Sequence, residues 1–192
     1  MAQKTESVVT PERFATGMSF AEWMERINLN KEKFQASYDA IKLDAEETKA
    51  LKELSVKENG PARLLIIGED WCPDVFRGLP VLVRIAEAAG WEIRIFWRDE
   101  NPDIMNEFLK DGEFQSIPVG VFYTKDHRYI GHWIERPALA NQEMHVLRAI
   151  TDGRTREESR ADYEAFQAGP VWQGWRKAII TEIIDLLEQK VR

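Results

Sequence analysis

The chain of 192 residues has a single cysteine, Cys72, and three histidines. One thiol cannot form an internal disulfide, so the cysteine content asks for no oxidising compartment. No histidine pair has i, i+4 spacing and no HExxH run occurs. With one cysteine available, a structural zinc site lacks ligands, and no metal or cofactor is expected. Positive charge is also scarce: 26 Lys and Arg against 33 Asp and Glu give a formal net charge of −7. That argues against nucleic acid and anionic membrane partners, which need a basic face. No apolar run approaches the length of a membrane span. The first residues, MAQKTESVVTPERF, lack the basic and apolar blocks of a secretory signal. Glycine-rich phosphate loops, GxSxG turns, repeats and low-complexity tracts are absent too. The expectation is a soluble, cytoplasmic globular protein. With 44% hydrophobic residues it can bury a core without disulfides.

Residues 1–17 are polar and hold a proline and a glycine; the first dozen or so are expected to lack fixed structure. Ser19 and Glu22 have capping-box spacing for a short helix. Phe34, Tyr38 and Ile41 recur at helical spacing over 30–42. Asp44 caps a third helix, with Glu46 and Glu47 in its first turn. After the turn ENGPA, RLLIIG (63–68) is a continuous apolar run of strand length, covered on both faces. Pro73 to Gly90 reads as a helix kinked at Gly78 and Pro80. WEIRIFW (91–97) reads as a strand and PDIMNEFL (102–109) as a short helix. IPVGVFYT (117–124) and RYIGHWI (128–134) form a hairpin across KDH. Residues 137–151 form a helix. Beyond Gly153 a charged stretch turns helical, and GPVWQGW breaks it. The last helix, from Arg176, carries Ile179, Ile180, Ile183, Ile184, Leu186, Leu187 and Val191. So wide an apolar face docks on the domain or on a second subunit, a homodimer through the terminal helices being the second case.

The order β-α-β-α-β-β-α over 62–151 gives an α/β fold, a mixed sheet of about four strands with helices on both faces. Three segments follow: an N-terminal helical extension (1–58), the core (59–151) and a C-terminal helical extension (152–192). The remaining polar signals are assigned to structure. His127 and His132 are read as solvated, RDEN (98–101) as a salt-bridged turn, and Trp172 and Trp175 as anchors of the last helix.

Cys72 stands in GEDWCPDVFRGLP (68–80), between an apolar strand and a helix start. Unpaired N–H groups at a helix N-terminus stabilise a thiolate, the nucleophile of thiol–disulfide exchange. Glu69, Asp70 and Asp74 oppose that by repulsion, and Arg77 favours it if it turns inward. Free cysteine is equally among the most buried residue types and packs as a small hydrophobe.

The element order, with Trp71-Cys72 after the first strand, resembles the thioredoxin fold. Pro80 lies eight residues after the cysteine, and Ile117-Pro118 opens the third core strand. The chain is most similar to a branch of bacterial thioredoxin-like proteins with an N-terminal helical extension and an EDWC-x-D-C active site. Here that motif stands as Glu69 to Val75. The branch's further runs stand as Arg98 to Met105 and Trp133 to Pro137. The resemblance implies a catalytic Cys72, with Trp71, Pro73, Asp74, Ile117 and Pro118 at the substrate edge and a cis Ile117–Pro118 bond. Two positions depart from it. Val75 stands where the second cysteine falls, and Ile66 where thioredoxins often bury an acid that deprotonates that cysteine. The resemblance so modified implies monothiol exchange with a protein or low-molecular-weight disulfide, resolved by an external thiol. The alternative is a redox-inactive thioredoxin fold that acts as a binding or structural module. Whether the chain is an enzyme stays open at this level.

Overall fold

The structure, a computed structural model, describes residues 7–191. The chain starts with four helices: α1 (Pro11–Ala15), α2 (Phe20–Arg26), α3 (Lys31–Ala40) and α4 (Ala45–Val56). Strand β1 (Pro61–Gly68), helix α5 (Pro73–Ala89), strand β2 (Glu92–Trp97), helix α6 (Pro102–Met105) and the hairpin β3 (Val119–Thr124) and β4 (Tyr129–Ile134) follow. The chain ends in α7 (Ala138–Gln142), α8 (Met144–Thr151), α9 (Arg160–Ala168) and α10 (Pro170–Lys190). Ser19 and Asp44 each close a full capping box, with Glu22 and Glu47, as their spacing predicts.

The sheet order is β2-β1-β3-β4. β1 pairs parallel with β2, and β3 runs antiparallel to both β1 and β4. One face carries α5, with α4 and α10 beside it. A Cβ built at Gly120 would meet Leu82 of α5, and one at Gly131 would meet Leu186 of α10. On the opposite face Phe14 of α1 and Phe108 pack edge-on to Tyr123 and His132. The fold is therefore thioredoxin-like: a mixed four-stranded sheet with helices on both sides. Among the described residues no helix is long and apolar enough to cross a membrane.

Several expectations need correction. Residues 7–17 are ordered rather than structureless. Thr10 caps α1, Val9 and Phe14 are buried, and Met18 bridges Ile95 at the sheet edge. Residues 1–6 lie outside the described residues. The helix expected over 137–151 is two helices divided at Glu143, whose carboxylate accepts from Trp175 Nε1 at 2.7 Å. α10 starts at Pro170, not Arg176. Gly169 ends α9 as expected, and Pro170 sits in the first turn of α10, where its missing N–H is tolerated, so GPVWQGW also opens the last helix. The helix of 102–109 shortens to one turn. His127 and His132 are half-buried. His127 stacks on Tyr123 at 4.5 Å and its Nε2 lies 2.9 Å from Val9 O. The apolar face of α10 docks within the chain: Ile179, Ile180, Ile183, Leu187 and Val191 are all buried, with Trp172 and Trp175 at its start.

α5 runs as one helix of 17 residues through Pro80. Gly78 has a packing use besides. A Cβ there would stand 3.0 Å from Pro118 Cγ, so glycine lets α5 press against the start of β3. That close approach brings the beginning of α5, and Cys72 with it, beside Ile117.

Candidate functional site

Cys72 is the N-cap of α5, with extended backbone (φ −85°, ψ 124°) and no side-chain capping bond. Its carbonyl accepts from the Val75 and Phe76 amides. Its thiol is half-buried, 4.0 Å from the carbonyl oxygen of Ile117. The Ile117–Pro118 bond is cis, as expected. Cys72, Ile117 and Pro118 are thus brought to one point. Trp71 and Pro73 flank the cysteine and are exposed, Trp71 under the Arg98 guanidinium at 5.1 Å.

The loop before Cys72 is held by its own carboxylates. Asp70 Oδ2 accepts from the Asn28 and Leu29 amides, each at 2.9 Å, and Asn30 Nδ2 donates to Asp70 O. Glu69 Oε1 accepts from the Asp99 amide at 2.9 Å. Both side chains are buried. Sequence proximity had put three carboxylates around the thiol, but two of them are committed to backbone amides of other loops.

Asp74 is the third, and it is not free either. Arg77, one helical turn on, is turned inward and 1% exposed. It pairs with Asp74 Oδ1 and lies over Trp172 and Trp175, 4.8 and 5.2 Å from their ring centres. Arg136, after β4, pairs with Asp74 Oδ2 at 2.9 Å. Arg136 also pairs with Glu135, and Glu135 with Lys110. A chain of five alternating charges therefore runs from under Cys72 to the loop after α6. Asp74 faces this network; it was expected at the substrate edge.

Burial pushes the Cys72 thiol up from its usual range, and the Asp74 carboxylate pushes the same way. The Val75 and Asp74 amides at the helix start, and Arg77, pull down without overcoming burial. Val75, at the position that would hold a resolving cysteine, is fully buried against the end of β1. Ile66 is likewise buried, so no acid stands behind the site. The arrangement can form one mixed disulfide and has no thiol to release it.

A groove of about 1060 Å³ adjoins the cysteine. Trp71, Pro73 and Phe76 form one wall, Asn30 and Lys33 at the start of α3 a second, and residues of α8, α9 and their connection the third. Tyr163 of α9 is largely buried there. Burial first, then the charges of Asp74 and Cys72, push its phenol up. Tyr163 and the α8–α9 connection were missed from sequence. They read as a charged stretch that turns helical, and the packing of α9 on α10 sets them beside the start of α5.

The thioredoxin family model matches residues 17–152, well over half of the chain. The chain belongs to the thioredoxin family. This thioredoxin-family chain also resembles two solved structures over nearly its whole length. A protein of unknown function from Pseudomonas aeruginosa has a TM-score of 0.68 at 19% identity, over 94% of this chain and 98% of that one. An HIV epitope scaffold has 0.63 at 21%, over 93% and 96%. At such identity the likeness shows the fold alone. No curated protein matches the chain. The family match includes α2, α3 and α4 but not α1, and stops at the end of α8, so α9 and α10 lie beyond it.

Proposed function

We propose that this thioredoxin-family protein carries out monothiol exchange through Cys72, forming a mixed disulfide that persists until an external thiol resolves it. The observation that carries the reading is the placing of the sole thiol at the α5 N-terminus beside Ile117 O, with Val75 sealing the resolving position. In the step, Cys72 thiolate attacks one sulfur of a disulfide. The new S–S bond forms as the old one breaks, and the departing thiolate takes the electron pair. A thiol of raised pKa offers little thiolate at neutral pH, so capture is slow. The same thiol is a poor leaving group, so attack that would expel Cys72 is slow as well. The chemistry therefore favours a lasting adduct over rapid turnover.

Incubating the folded chain with a small disulfide tests this. Intact mass is expected to show one adduct per chain, absent in Cys72→Ser and removed by excess reductant. No adduct on the folded chain, with ready adduct formation on the unfolded chain, would contradict it. A specific observation supports a second reading: Val75, fully buried where a resolving thiol would stand, fits a redox-inactive fold that serves as a binding module. In that case Cys72→Ser leaves binding of a protein partner unchanged.

A further inference from the structure

The groove beside Cys72 differs in charge from the chain as a whole. Four cations line it, Lys33, Arg154, Arg156 and Arg160, against two carboxylates, Glu157 and Glu164, in a chain of net charge −7. Two of the cations are neutralised locally: Arg154 pairs with Asp162, and Arg160 with Glu164. Among the described residues, Lys33 and Arg156 make no ion pair, and Glu157 is the one groove carboxylate without one. Lys33 Nζ lies 5.1 Å from the ring centre of Phe76, directly behind the first turn of α5. The lining also includes the aromatic side chains of Trp71, Phe76 and Tyr163.

Resting on the monothiol reading, we propose that this groove selects a carboxylate-bearing low-molecular-weight disulfide. Its anionic arm lies against Lys33 and Arg156 while its S–S bond faces Cys72. The size supports a small molecule: about 1060 Å³ is at the upper end of the range of small-molecule sites. The charge supports an anion, since the lining carries four cations against two carboxylates, and two of the cations but only one of the carboxylates make no ion pair. The family-model match ends before α9, so Arg156 and Tyr163 belong to the part of the chain that is outside that match.

The test is a charge series at low ionic strength with the full chain. The probes are 3,3′-dithiodipropionate as dianion, bis(2-hydroxyethyl) disulfide as neutral and cystamine as dication. Adduct rates are divided by those of a neutral model thiol to remove intrinsic reactivity. The dianion is expected to lead the dication by on the order of tenfold, the usual lower range of electrostatic steering. Added salt should erase the lead, and Lys33→Glu with Arg156→Glu should reverse it. Both positions lie at least partly on the surface, so folding is expected to survive. Equal normalised rates for the three probes would overturn the groove inference and leave monothiol exchange standing. A preference seen only with an acidic peptide disulfide would also overturn it.

Equilibrium dialysis of the dianion against Cys72→Ser separates the two claims when no adduct forms. Binding that Lys33→Glu and Arg156→Glu abolish upholds the groove as an anion site, even if the thiol proves inert. No binding, or equal binding of the dication, overturns it.

Discussion

Asp74→Asn is expected to lower the unfolding free energy by about 3–5 kcal/mol, the usual effect of removing one partner from a buried ion pair. Arg77 is 1% exposed, and its charge is met by the Asp74 carboxylate. Asparagine is nearly isosteric and leaves the packing in place, so the loss isolates charge. Two guanidiniums, Arg77 and Arg136, then face each other with no anion between them. The measurement is urea unfolding, in which the midpoint should fall with little change in slope. Adding Arg77→Met to the variant should recover much of the loss, because the uncompensated charge goes with it. An Asp74→Asn chain as stable as the parent would show that the network does not depend on that carboxylate.

Val75→Cys is expected to confer dithiol disulfide-reductase turnover on a chain that has none. Position 75 is one helical turn from Cys72 and fully buried behind it. Cysteine is smaller than valine, so the space beside Gly68 accepts it without strain. The second thiol would attack the mixed disulfide from within, replacing the external thiol that the natural chain needs. Turnover is followed as reduction of a protein disulfide in the presence of excess reductant, against the parent and Cys72→Ser. A variant that forms the 72–75 disulfide and still reduces nothing would show that the surrounding surface no longer serves redox substrates. The binding-module reading would then replace the proposed one.

Much of the core was legible because its signals are local. Apolar runs of strand length, two capping boxes and the Trp-Cys and Ile-Pro pairs each depend on neighbours in sequence. The misreadings share another cause. His127, read as solvated, and Arg77, whose direction was left open, carry polar side chains that tertiary packing covers, and no sequence period marks such burial. Arg77 had a partial clue in its i, i+3 spacing from Asp74, yet Trp172, which stacks on it, lies far along the chain. The packing use of Gly78 was not read from sequence, because helix propensity was considered alone. Its use became visible only with Pro118 placed 3.0 Å from where its Cβ would stand. Gly169-Pro170 was read only as the end of the preceding helix, and it also opens the next one.

The rate of Cys72 alkylation against pH, in the folded chain and in urea, tests the central claim most directly. That claim is an accessible single thiol whose pKa burial and Asp74 raise beyond what the helix start and Arg77 lower. The account predicts complete alkylation of the folded chain, with a midpoint above that of the unfolded chain and slow reaction at neutral pH. A midpoint below the unfolded value, or a thiol that reacts only after unfolding, would contradict it.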